Sequence, residues 1–427
     1  MSSTQTGSMA ERVRAYLDGR DGEVLELARD LIRTPSPNPP GDERAVADLV
    51  ISRLEELGIH DISRVGARQE RPNVLARVKG AAPGPTLILS GHLDTKPAGD
   101  MDAWETDPWD PVLRDGHLIG LGSGDMKAAV AGMMYAAAAL RHAQEAGGDD
   151  GGFAGELVLV FTADEEAGAQ FGSKWLADNG HLRGDAAVIG EPSGITSEWQ
   201  SVHLVSRGAA LFKVAITGTQ MHSSISDRLP GINATVKMAR LIDRMDRELV
   251  SYLAYEAHPL CPTGPTVNVG VMASAGVFYG VYPGNAEFAC DVRTLPGMTE
   301  ESLKADIGRF LDDAMADDPD LRAQLDWFLT VPPVEIDGDH PVVGALVEAG
   351  REVLGHSPEL DAFPGATDAP YFQLTAGIPT VAAFGPGMLP RAHSPNEFMD
   401  ADGAALSASI YALAALRYLG EAEAEEG

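Results

Sequence analysis

Only two cysteines occur among the 427 residues, Cys261 and Cys290. Neither stands in a Cys-x-x-Cys pair or a Cys/His cluster, which removes small structural zinc modules and a disulfide framework from consideration. Both read as buried or half-buried thiols. No uninterrupted apolar run approaches the roughly 18 residues of a membrane span. Residues 1–8 also lack the apolar stretch of a secretory leader, so the expectation is a soluble, cytoplasmic protein with no membrane partner. Basic residues are scarce as well: 32 Lys and Arg face 63 Asp and Glu, for a net charge of −31. A field of that sign repels phosphate backbones and anionic lipid, so nucleic acid is not expected as a partner. Much of the acidity reads as solvated surface, including the run at 421–426, expected to be a frayed tail.

What the chain does contain is enough apolar sequence, 44%, for about two to three domains. Helical periodicity covers residues 23–33, stops at the proline cluster 35–40, and resumes over 45–57 before Gly58. Three apolar runs then read as buried parallel strands: Thr86-Leu87-Ile88-Leu89, Leu157-Val158-Leu159-Val160-Phe161 and Ala186-Ala187-Val188-Ile189. The Ala- and Met-rich segment 126–143 predicts the helix that crosses over between the first two. Residues 147–155 are glycine-rich and read as a flexible loop.

Beyond Pro192 the texture changes. A strand at 211–216, a helix at 232–247, strands at 266–271 and 286–293, a helix at 301–314 and a strand at 325–331 follow in the order β-α-β-β-α-β, the ferredoxin-like arrangement. An α/β domain is then expected to resume with a helix at 342–354 and a last strand at 379–384. The predicted division is 1–202, an inserted domain 203–335, and 336–427.

Each of the three buried strands leads to a residue of metal-binding type. His92 and Asp94 follow the first in Gly91-His92-Leu93-Asp94-Thr95, Glu165 and Glu166 the second, and Glu191 the third. Asp125 precedes the crossover helix, and His393 lies in Ala392-His393-Ser394-Pro395-Asn396-Glu397. His and Asp/Glu are the N and O donors that Zn²⁺ prefers. In open α/β sheets ligands gather at the carboxyl ends of strands, where these residues fall. His92 and Asp94, two apart, can face one side, and a carboxylate on the second imidazole nitrogen commonly orients a metal-ligating histidine. Adjacent Glu165 and Glu166 allow one ligand and one base, though as residues alone they equally fit an exposed loop pair.

Taken in order, His-x-Asp, Gly-x-x-Asp-Met-Lys at 122–127, Asp-Glu-Glu at 164–166, Gly-Glu-Pro at 190–192, His-Ser-Ser at 222–224, Gly-Pro-Gly at 385–387 and the late Ala-His span most of the chain. In this the sequence resembles the di-zinc amidohydrolases that include acetylornithine deacetylase, succinyl-diaminopimelate desuccinylase, aminoacylase and glutamate carboxypeptidase. The resemblance implies an α/β two-metal hydrolase with a central, mostly parallel sheet and an inserted ferredoxin-like lid or dimerisation domain. It implies that Asp125 bridges two zinc ions, with Co²⁺ or Mn²⁺ able to take similar sites. By the same resemblance His92 and Glu191 complete one metal position, Glu166 and His393 the other, and Glu165 is the general base. His222 looks like the histidine that reaches a partner protomer's active site in a homodimer. Arg207 and Arg293 resemble arginines that receive a substrate carboxylate, against the rival of structural salt bridges. Gly365, in Gly365-Ala366-Thr367-Asp368, and the Gly-Pro-Gly segment look like cleft loops.

Gly280 stands where the family often has Asn, Leu121 where Arg is frequent, and Ala128 where Gly is frequent. These departures bear on substrate choice more than on metal binding. The expected activity is removal of an acyl group from an N-acyl amino acid, as acetylornithine deacetylase does. The alternative is an exopeptidase or dipeptidase acting on short peptides with the same scaffold. A non-catalytic homologue would be expected to have lost a ligand or the base, and every one is in place.

Overall fold

The computed structural model describes residues 7–148 and 151–422. Most of the 421–426 acidic run, most of residues 1–8 and the middle of the 147–155 loop lie outside the described residues. The chain divides into two compact units: one holds the residues up to Val205, Glu335–Phe363 and those from Thr367 on, the other Ser206–Val334 with Pro364–Ala366.

The first unit is organised by a six-stranded sheet. Its parallel centre consists of Ala154–Thr162, Ala82–His92, Ala186–Ile189 and the short Thr380–Val381, with Asn73–Lys79 and Asp61–Val65 added antiparallel at one edge. The three central runs are buried along most of their length, the condition that produces continuous apolar strands rather than alternation. Sequence reasoning left out the edge pair 61–79, which carries more charge, and the expected strand 379–384 contracts to its two paired residues.

The crossover helix is Ala128–Gly147, starting two residues later than the periodicity suggests. Asp125 and Met126 leave helical dihedrals, at φ −124°, ψ 89° and φ −138°, ψ 35°, so residues 123–127 form a wide turn. Alanines and glycines let this helix lie close to the C-terminal helix Gly403–Leu419, an element that periodicity alone did not single out. A methyl placed on Gly132 would fall 1.8 Å from Ser407 Oγ, a contact no side chain can make without moving the helices apart. The first helix, Met9–Leu17, was also not anticipated; it begins with a Ser8–Glu11 capping box.

In the second unit, strands Thr266–Ala275, Asn285–Thr294, Gly208–Thr217 and Ala323–Val331 lie side by side in that order, all antiparallel. This is the strand order of a ferredoxin-like sheet. Alternation is clear: Ala286, Phe288, Cys290 and Val292 are buried, as are Phe212, Val214 and Ile216. Helices Ala234–Tyr252 and Glu300–Asp317 contribute the matching apolar faces, Met238, Leu241, Met245 and Leu249 from one, Leu303, Ile307, Phe310 and Leu311 from the other. The first of these helices begins at an Asn233 cap, which replaces the earlier start expected at 232; such a cap contributes about 1 kcal/mol.

Candidate metal centre

Parallel register places the donors. Leu87 pairs with Leu157 and His92 with Thr162, while Ser90 pairs with Ile189. The three strands therefore end level, and His92, the Asp164–Glu166 turn and Glu191 leave the sheet at one edge. Asp125 arrives from the wide turn before the crossover helix, where the Asp125–Met126 peptide is cis. His393 comes from a distant loop and adopts φ +58°, a left-handed conformation that costs a non-glycine residue about 1–2 kcal/mol.

Asp125 stands at the centre, with its two oxygens divided between two histidines. Oδ1 lies 2.9 Å from His92 Nε2 and Oδ2 lies 3.0 Å from His393 Nε2. Glu191 Oε1 is 3.6 Å from the same His92 nitrogen, and Glu166 Oε1 is 3.1 Å from the same His393 nitrogen. Two donor groups result, His92–Asp125–Glu191 and Asp125–Glu166–His393, each with ligand atoms within 4.8 Å of one another. Each offers one imidazole and two carboxylate oxygens, the donor set suited to Zn²⁺ and similar divalent ions. Glu165 belongs to neither group.

The expected orientation of His92 by the Asp94 carboxylate takes another form. His92 Nδ1–H donates to the backbone carbonyl of Asp94 at 2.9 Å, while the nearer carboxylate oxygen is 3.7 Å away. The tautomer is still set, leaving Nε2 to face Asp125. The Asp94 carboxylate instead accepts the backbone N–H groups of Glu165 and Glu166, both at 3.2 Å, and the Asn38 amide at 2.8 Å. It thus positions the turn that carries the base candidate. Asn38 accepts from Arg71 at 3.0 Å, and Arg71 pairs with buried Glu43 at 2.6 Å, so the proline loop anchors this network.

Glu397 plays the equivalent part for Asp125. Its buried carboxylate accepts the N–H groups of Gly122 (3.0 Å), Gly124 (3.0 Å) and Asp125 (3.1 Å). Glu397 lay in the quoted late motif but carried no role there, because a carboxylate that grips backbone amides leaves no signature of residue type.

Burial and like charge set the electrostatics. Burial, with Asp125 next, holds Glu191 well above the usual carboxylate range. Burial also raises Glu165, against the lowering effect of His92. Burial alone would lower His393, but its hydrogen bonds to Asp125 and Glu166 raise it to about 11. Burial pushes Glu397 up to about 8 despite its amide donors, and pushes Lys127 down to about 7. So many buried acids at one sheet edge are a site built for positive charge.

The remaining predicted residues stand in the second unit. His222 is exposed, and its Nδ1 is 2.8 Å from Ser224 Oγ. Arg207 donates to the carbonyls of Gly264 at 2.8 Å and Arg293 at 3.3 Å. Arg293 pairs with Asp291 at 2.8 Å, the structural arrangement weighed as the rival reading. Gly365 belongs to the same unit. Gly280 has φ +81°, and beside it Tyr279 is 93% exposed.

The sequence profile of Peptidase family M20/M25/M40 matches residues 88–417. The chain is similar to a succinyl-diaminopimelate desuccinylase of Methylobacterium radiotolerans, 32% identical over 360 residues that cover 82% of this chain and 86% of the relative. An acetylornithine deacetylase of Photorhabdus laumondii is 31% identical over 386 residues, 88% of this chain and 92% of the relative. Among solved structures, an M20 family metallo-carboxypeptidase from Sulfolobus solfataricus superposes with a TM-score of 0.74 at 19% identity, covering 93% of this chain and 99% of the other. That last likeness bears on the fold.

Proposed function

We propose, from the premise that this chain belongs to Peptidase family M20/M25/M40 and is a metal-dependent hydrolase, that it removes the acyl group from an N-acyl amino acid at a two-zinc centre. The observation that carries this reading is the division of the Asp125 oxygens between two histidine-containing donor groups. The relatives named as a desuccinylase and a deacetylase support the substrate class.

His92, Asp125 and Glu191 would hold one cation, and Asp125, Glu166 and His393 the second. Bound there, the cations supply Lewis-acid polarisation of the amide carbonyl and of the attacking water. Glu165, outside both donor groups, accepts the proton of the attacking water and returns it to the amine nitrogen as the C–N bond breaks. Asp94 holds the Glu165 turn, and Glu397 holds the Asp125 turn.

His222 belongs to the same proposal as a residue supplied by the second copy in a homodimer, where its exposed imidazole would meet the carbonyl oxygen as charge develops. Arg207, Arg293 and Gly365 are assigned to substrate binding. Arg293 is the better placed of the arginines, being partly exposed, whereas Arg207 is committed to two carbonyls.

The test is metal analysis joined to a panel of N-acetyl, N-succinyl and dipeptide substrates. Two metal ions per chain and a preference for N-acyl amino acids are expected. Preferred cleavage of dipeptides would turn the assignment to an exopeptidase on the same scaffold. Absence of amide hydrolysis with metals bound would remove both.

A further inference from the structure

Around the two donor groups the cationic surroundings differ. Among the described ion pairs, His92, Asp125 and Glu191 meet one another, Asp94 and His393 but no lysine or arginine. Glu166 has a lysine. Lys96 Nζ lies 3.1 Å from Glu166 Oε2, the Lys96 backbone N–H donates to Glu166 Oε1 at 3.1 Å, and the ammonium also donates to the Glu166 backbone carbonyl. One residue thus grips both carboxylate oxygens and the main chain. The nearby Lys127 ammonium is committed elsewhere, to the carbonyls of Leu31 and Thr34 at 2.8 Å each.

We propose that Lys96 is a fixed counter-charge that makes the Asp125–Glu166–His393 position the weaker and faster-exchanging of the two cation positions. The inference rests on the two-metal reading above. Glu166 Oε1 faces His393, so a cation there takes that oxygen, while Oε2 stays engaged by the ammonium and is withheld from two-oxygen ligation. The ammonium also lies close enough for its charge to oppose a dication directly. With a half-buried side chain and a buried partner, 37% against 4% side-chain exposure, it is screened only in part. A unit charge at such range changes cation affinity by about tenfold even with substantial screening.

The experiment is a Zn²⁺ titration of the demetallated full chain against a chromophoric chelator, comparing wild type with Lys96→Gln and Lys96→Arg. Wild type is expected to take two ions with affinities at least about tenfold apart. Lys96→Gln should tighten the weaker step about tenfold and slow its loss to chelator, leaving the tighter step unchanged. Lys96→Arg should keep the gap, and raised salt should narrow it in wild type and Lys96→Arg but not in Lys96→Gln. A single ion in wild type and two in Lys96→Gln would be the same effect at its limit.

A weaker or unchanged second step in Lys96→Gln, with native circular dichroism, would overturn the proposal and make Lys96 an organiser of Glu166. One ion in all three proteins would overturn both this inference and the two-metal reading. Two ions with no dependence on Lys96 would overturn this inference alone.

Discussion

The two halves of the candidate metal centre are built from the same donor types on different supports. His92, Asp125 and Glu191 are all buried, and two of them follow directly from the central parallel strands. In the other half, Glu166 sits on a short turn and His393 on a loop in a left-handed conformation, with 44% of its side chain exposed. Donor chemistry alone would make the halves equal. Strand support and burial mark one half, whereas the other has an exposed His393 and an ion pair from Glu166 to Lys96. The comparison teaches that ligand identity specifies which ion is suited, whereas the scaffold behind each ligand sets its burial and its neighbours.

The largest expected effect comes from the residue both halves share. Asp125→Ala should empty both positions and lower turnover by about 10⁴-fold or more, because both polarising cations are lost. Metal analysis showing near-full double occupancy in that variant would remove the bridge and the comparison with it. Glu165→Gln should cut turnover by about 10²–10⁴-fold while two metals remain bound. Should that variant lose one metal and regain activity with excess zinc, Glu165 is a ligand and the halves have been divided wrongly.

Smaller effects sharpen the contrast. Glu397→Gln exchanges a carboxylate that receives three backbone amides for a weaker acceptor, and should weaken metal binding roughly 10–100-fold. Both steps should be affected, since Asp125 serves both; a change confined to one step contradicts the shared turn. Brief chelation should strip one ion first, from the half-exposed side. His393→Ala should abolish that fast phase and keep the slow one, as followed by stopped-flow release, and the reverse result would exchange the two halves.

The smallest test is a half-buried carboxylate outside both halves. Burial, opposed by the Asp400 N–H, lifts Glu198 from 4.5 to about 7. A folded-state pKa raised above the unfolded value contributes stability fully present below about pH 4.5 and lost as pH rises through about 7. Glu198→Gln should remove that decline, worth about 1–3 kcal/mol, in denaturant melts between pH 4.5 and 8. An unchanged pH profile would show that this group is solvated.

Apolar runs at 86–89, 157–161 and 186–189 were legible because both faces of a central strand are buried and the pattern needs no partner to interpret. The crossover helix was legible from its alanines. Helix 403–419 was not singled out, since a buried helix rich in small residues carries little amphipathic contrast. The edge strands at 61–79 escaped because their charged residues break the apolar run.

At the site, residue type and motif order singled out candidate donors, and the structure brings His92, Asp125, Glu166, Glu191 and His393 together in two groups that could hold a metal ion. The part taken by the Asp94 carboxylate differed from expectation. Spacing of two residues is compatible with touching either the imidazole or the neighbouring turn, and only the packed strands choose between them.

By itself, then, the sequence determined the types of the candidate donor residues, the alternation of strands and helices, and the acidic net charge of −31, all properties that need no contact between distant segments. Tertiary structure alone decided that residues 92 and 393 meet across one carboxylate, that Asp94 and Glu397 grip backbone amides, and that Lys96 stands beside one half of the centre. The physical reason is that electrostatic and hydrogen-bond energies depend on distance through space. Parallel register and helix packing set those distances between segments up to three hundred residues apart in the chain.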